Sequence, residues 1–138
     1  MPQLRIVGSG VIYINPEPGY RCNFACHSHV IELSDVELLC LFQRGQALYS
    51  VDSVLIQARS TDAGRTWVEE APVLDPNRND RPFSYHAPYM TCVVNELLLV
   101  NAIRWDRSNP DKPLFNEVTG GMVPSDTIVM RSTDQGAT

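Results

Sequence analysis

A chain of 138 residues, 43% hydrophobic and 20% charged, has the composition of a folded globular domain with enough apolar material for a core. Its net charge of −5, with scattered Lys and Arg, offers no basic stripe for a polyphosphate backbone, so nucleic acid is not an expected partner. No apolar run reaches the roughly 18 residues of a spanning helix, and Met1-Pro2-Gln3-Leu4-Arg5 lacks signal-peptide features; no membrane partner is expected, and the location expected is cytoplasmic, or secreted if a leader was omitted.

Short runs of β-branched and aromatic residues, punctuated by Gly, Pro, Asn and Asp, predict an all-β fold, since no window keeps a 3.6-residue apolar period. In chain order the expected strands are Leu4 to Ile14, Arg21 to Leu33, Glu37 to Gln43, Ser53 to Arg59, Thr66 to Pro72, His86 to Val94, Leu97 to Trp105 and Asp126 to Arg131. Several are apolar on both faces, as in Leu97-Leu98-Leu99-Val100, which fits sheets sandwiched between neighbours. The cysteines Cys22, Cys26, Cys40 and Cys92 stand in apolar runs and are expected to be reduced and buried. Cys22 and Cys26, four apart in one predicted strand, have α-carbons about 13 Å apart, too far to bridge. Cys26 and His27 face opposite sides of that strand and no second Cys or His pair follows, so neither a metal site nor a cofactor is expected.

An internal repeat organises these strands. Tyr20-Arg21-Cys22-Asn23-Phe24 leads to Glu37-Leu38-Leu39-Cys40-Leu41, to Arg44, and to Val54 through Gly64; Tyr85-His86-Ala87-Pro88-Tyr89 leads to Glu96 through Val100, to Arg104, and to Thr127 through Gly136. The offset grows from 65 residues at the tyrosines to 72 at the serines, and Asp106 to Pro124 is the inserted loop. Each unit ends in Ser-Thr-Asp-x-Gly-x-Thr, followed by Trp67 in the first. In such a turn Asp62 can accept from its own backbone amides, Gly64 can take a positive φ and Trp67 can pack beneath; Asp62 is expected to be buried and amide-bonded.

This pattern, Ser60, Asp62, Gly64, Thr66 and Trp67 with Ser132, Asp134 and Gly136, resembles the Asp box of the sialidases and their BNR-repeat relatives, where it is structural and joins the third and fourth strands of propeller blades. The resemblance implies about two four-stranded antiparallel blades of a six-bladed β-propeller, its amino-terminal portion. One blade would span 15–75, most of a second 85–138, and 3–14 would be the outer strand of another. It also implies a site at the axial mouth: Arg21, in a partial Phe/Tyr-Arg-Ile-Pro match, with Arg44, His86 and Arg104 binding substrate, and Asp52 as acid/base. The tyrosine nucleophile, its partner glutamate and the later arginines of a sialidase have no match in this chain. The function implied is part of a sialidase-like glycoside hydrolase, not active as an isolated chain; the alternatives are a non-catalytic glycan-binding propeller, using aromatics such as Tyr20, Tyr89 and Trp105, or a truncated structural fragment. Expected partners are a glycan or small anionic carbohydrate and further copies of the chain, three of which would close a ring.

Overall fold

The structure, a computed structural model, describes residues 5–6, 8–74, 82–93 and 97–137. It is all-β, with no helix among the described residues. Seven antiparallel strands form two sheets. In the first, β1 (Phe24–Glu32), β2 (Leu38–Gly45), β3 (Val54–Ser60) and β4 (Val68–Pro72) lie in sequence order. In the second, β5 (Phe83–Cys92), β6 (Leu98–Asp106) and β7 (Ser125–Ser132) do the same. Among the described residues the two sheets do not close into a ring.

The strand period explains how the sheets stack. In β2, Leu39 and Leu41 point to one side, with Leu55 of β3, and meet Tyr85, Met90, Leu98 and Ala102 of the second sheet. The alternate residues Cys40 and Phe42, with Ile56 and Ala58, form a second cluster on the opposite face. A central strand buried on both sides explains the unbroken apolar run, and each fully buried leucine contributes about 1.5–3 kcal/mol. Polar bonds fix the stacking. Ser53 and Tyr85 are joined twice, the Tyr85 amide donating to the Ser53 carbonyl and the Ser53 hydroxyl to the Tyr85 carbonyl, each at 2.9 Å. The buried Gln43 donates to the Leu48 carbonyl at 2.6 Å and accepts from the Ala87 amide at 3.1 Å.

The first strands of the two sheets, β1 and β5, carry the same irregularity: a register shift, between Cys26 and His29 and between His86 and Tyr89, with His27 at φ 51° and Ala87 at φ 48°. His27 and Ala87 are therefore the equivalent residues, sixty apart, as are Arg44 and Arg104 on β2 and β6. The expected pairing of Tyr20 with Tyr85, at an offset of 65, is thus five residues out of structural register.

Seven of the eight expected strands form, with ends displaced by up to three residues. The exception is Leu4 to Ile14: its described residues form no strand, and Leu4 itself lies outside the described residues. Gly8 and Gly10 weaken extended pairing, and the segment instead lays Ile12 and Tyr13 over the Cys40/Phe42 cluster, with the Tyr13 and Phe42 rings 5.6 Å apart. Of the four thiols, all free, only Cys40 is buried, which pushes it up to about 11; Cys22 and Cys92 are exposed. Cys22 precedes β1 and donates to the Gln46 carbonyl.

Candidate functional site

Successive strands within each sheet are antiparallel, so the described turns and loops fall at one of two ends. One end holds the Ser-Thr-Asp turns. The first joins β3 to β4 and the second follows β7, and both place two successive residues at positive φ: Ala63 and Gly64 at 57° and 83°, Gln135 and Gly136 at 59° and 81°. In the first, the half-buried Asp62 carboxylate accepts from the Arg65 and Thr66 amides at 2.9 and 2.8 Å and from the Ser60 and Thr66 hydroxyls. The Thr66 hydroxyl and then its amide do most to hold the Asp62 carboxyl down at about 2. Ser60 accepts from the Gly64 amide and Trp67 donates to the Gly64 carbonyl at 3.2 Å. In the second, Ser132 likewise donates to Asp134 and accepts from the Gly136 amide.

The second turn also docks on the first sheet. Arg59, held by Glu37 and Glu70 at 2.7 Å each, donates to the Gln135 carbonyl at 3.1 Å, and Gln57 donates to the Gly136 carbonyl at 2.9 Å. A cleft of about 830 Å³ opens here between the sheets, floored by Leu39, Met90, Leu98 and Met130. Its polar lining includes Arg131 and the second turn itself, with Gln57 and Arg59, which dock that turn, and Glu70, which holds both of them.

The opposite end carries the loop 46–53 between β2 and β3 and the loop 107–124 between β6 and β7. Here Tyr49, Trp105 and Phe115 converge: the Tyr49 ring lies 5.6 Å from Trp105 and 6.0 Å from Phe115, both edge-on. Tyr49 and Phe115 are 48% and 44% exposed, whereas Trp105 is 5% exposed. Behind them His86 stacks on Trp105 at 4.0 Å. Its Nε2 lies 2.8 Å from the Ser84 hydroxyl, which also accepts from Arg107 Nε at 2.8 Å; Arg107, itself buried, donates on to the Tyr49 carbonyl.

Burial, reinforced by the Arg107 charge, lowers His86 to about 4, so the ring is neutral at pH 7. Ser84 Oγ accepts from Arg107 and can either donate to His86 Nε2 or accept from it through its second lone pair, so the contact is satisfied by either ring tautomer and His86 Nδ1 is donor or acceptor accordingly. That Nδ1 makes no hydrogen bond of normal geometry; the Leu48 carbonyl is near enough only to offset part of the fall. The buried Trp105 indole N–H is also without a partner. Both atoms are buried, as is His29 Nδ1 on β1, a third nitrogen without a protein partner among the described residues.

The residues expected to form the site reach different places. His86 belongs to this cluster. Arg21 sits in the turn before β1, its side chain 73% exposed, paired with Glu17 at 2.6 Å. Arg44 turns outward over Tyr13 to Glu69 of β4 at 2.6 Å. Arg104 lies over the Phe83 ring at 4.5 Å and pairs with Asp126 at 2.8 Å. Asp52 accepts the Gln46 amide at 3.1 Å, closing its own loop. Tyr20 is 93% exposed in the turn, and Tyr89 stacks on His29 at 4.2 Å away from the loops. Tyr49, Ser84 and Phe115 escaped the sequence reading. The only signal for Tyr49 and Phe115 is a lone aromatic in each inter-strand loop, and Ser84 has none.

Fold and site define an all-β protein of two stacked antiparallel sheets with matching Asp-centred turns at one end and an aromatic cluster at the other. No family model matches the chain, and no curated protein matches it. It is similar in fold to a crystal structure of an unknown-function protein from Dyadobacter fermentans DSM 18053, at 22% identity and a TM-score of 0.62, over 92% of this chain and 36% of the other. The chain thus spans about a third of that structure's length.

Proposed function

We propose that the two sheets are consecutive blades of a sialidase-like β-propeller portion whose role is glycan binding at the loop end. The blade reading rests on the shared turn: Ser-Thr-Asp-x-Gly occurs twice, after the third strand of each sheet, with the same pair of positive-φ residues. The uncovered side of the second sheet, where Val129 is 66% exposed, is in this reading the seat of a further blade, from the same protein or another copy. The binding reading rests on one observation, the half-exposed Tyr49 and Phe115 rings over the buried Trp105 and His86. Sugar rings present apolar C–H faces that pack on aromatic surfaces, while their hydroxyls take up polar groups at the edge. Hydrolysis is the less favoured alternative because Asp52, the carboxylate expected as acid/base, is engaged by its own loop and no activated partner stands beside it among the described residues.

A glycan array probed with the purified chain tests the proposal. Binding to a set of glycans that Tyr49→Ala abolishes, with an unchanged melting temperature, is the expected result. Equal binding by the variant, or none by the parent, overturns it. Turnover of a fluorogenic sialoside would restore the hydrolase reading.

A further inference from the structure

We infer that Arg107 is the positioning residue of the loop-end site: from the second sheet it fixes the half-exposed Tyr49 ring of the first against Trp105 and Phe115. What Tyr49 is held for rests on the glycan-binding reading above; the holding itself does not. Tyr49 lies in the loop 46–53 between β2 and β3, whereas Trp105 stands near the end of β6 and Phe115 in the loop that follows it. The aromatic cluster is therefore assembled from two sheets and needs a link between them. Within its own sheet the Tyr49 loop is tied by Gln43, which donates to the Leu48 carbonyl at 2.6 Å. The next carbonyl, that of Tyr49, accepts from Arg107 Nη2 at 2.9 Å, from the other sheet. Two successive carbonyls held from two sheets fix the base of the Tyr49 side chain. The turn end uses the same device in the opposite direction, Arg59 of the first sheet donating to the Gln135 carbonyl of the second turn at 3.1 Å.

The surroundings of Arg107 favour this role over simple packing. Burying a guanidinium is costly unless its N–H groups are bonded, and an apolar side chain of similar volume fills such a space more cheaply. Arginine adds a planar fork with bonds in fixed, separate directions. Nε donates to the Ser84 hydroxyl at 2.8 Å, Nη2 to Tyr49, and the guanidinium carbon lies over the Trp105 ring, 5.6 Å from its centroid. The Arg107 amide donates to the Pro82 carbonyl at 2.9 Å, which anchors the base of the fork beside the start of β5. Lysine carries the same charge on one nitrogen and lacks the fork that serves Ser84 and Tyr49 together. A ring ordered before a ligand arrives loses no rotamer freedom on binding, so loosening Tyr49 weakens binding by about tenfold.

The test is NMR of the whole chain as parent, Arg107→Lys and Arg107→Met. In the parent, residues 46–53 are expected to be as rigid on the nanosecond timescale as the strands, with cross-relaxation between the Tyr49 and Trp105 rings. A parent in which 46–53 is already mobile on that timescale overturns the proposal, whatever the variants do. Both variants are expected to lose the Tyr49–Trp105 cross-peaks and to mobilise 46–53, with the Gly64 and Gly136 amide shifts at the turn end unchanged. A folded variant that keeps the Tyr49 ring on Trp105 also overturns it. Titration with lactose and 3′-sialyllactose then reads the consequence for the site: a saccharide that binds the parent is expected to bind both variants about tenfold more weakly, and equal affinity removes Arg107 from the site. Binding of neither saccharide by the parent, with the NMR changes as expected, leaves the positioning role standing and counts against the glycan reading.

Discussion

The two ends of the sheets use polar residues in opposite ways. At the turn end the carboxylate of Asp62 is satisfied within five residues of sequence, by amides and hydroxyls of its own loop, and the second turn is locked to the first sheet by Gln57 and Arg59. At the loop end the contacts are long in sequence, Ser84 to Arg107 and Arg107 to Tyr49, and they leave two buried nitrogens, Trp105 Nε1 and His86 Nδ1, without protein partners among the described residues. A closed hydrogen-bond account belongs to a structural staple.

The largest expected effect breaks the staple. Gly136 holds φ +81°, and a Cβ there would stand 2.9 Å from Leu39 Cδ2 and 3.2 Å from Gln57 Oε1. Gly136→Ala therefore combines left-handed strain with overpacking against a core leucine, and is expected to cost about 2–4 kcal/mol in chemical denaturation. Gly8→Ala, with open space around its Cβ, is the control expected to change little. Equal midpoints for the two variants would remove the turn from the account of sheet docking.

A second, smaller effect separates the ends by pH. Asp62 is depressed from 3.8 to about 2, so its contribution is complete above 3.8 and is lost as pH falls through that value toward 2. His86 is depressed from 6.5 to about 4 because its charged form would be buried beside Arg107. The unfolded chain then binds the proton first, and stability declines as pH falls from 6.5 toward 4. Melting temperatures of His86→Gln are expected to be flatter than the parent's in the upper window, and those of Asp62→Asn flatter in the lower. A parent whose stability is constant from pH 7 to 4 would contradict the His86 assignment.

How far sequence reached follows the same division. The turn end was legible because its bonds lie within one short motif, so Ser60, Asp62, Gly64 and Trp67 carry their geometry in their spacing. β2 and β6 were legible from continuous apolar runs. The first strands of the two sheets were not aligned correctly, because Tyr20 matches Tyr85 in type but lies in the turn before β1, and the structural equivalent of Tyr85 is Ala25. The loop end was mostly hidden. Arg44 finds Glu69 two strands away and Arg107 finds Ser84 across the β5–β6 pair, partnerships that topology creates and local sequence does not record.

The smallest expected effect sharpens the comparison most. Arg44 and Arg104 occupy equivalent positions and, with Arg21, were expected to bind substrate, yet each lies in a partly exposed ion pair over an aromatic ring. Such pairs contribute about 0–1 kcal/mol, because solvent screens them and ordering two long side chains costs entropy. Arg44→Ala and Arg104→Ala are accordingly expected to lose about 1 kcal/mol or less, the cation–π contact included, and to keep the parent's glycan binding. A clamp predicts the reverse, near-parental stability with binding abolished. The double variant decides the point: two arginines converging on one anion lose the second increment once the first is gone, whereas two independent surface pairs lose stability additively and leave binding untouched.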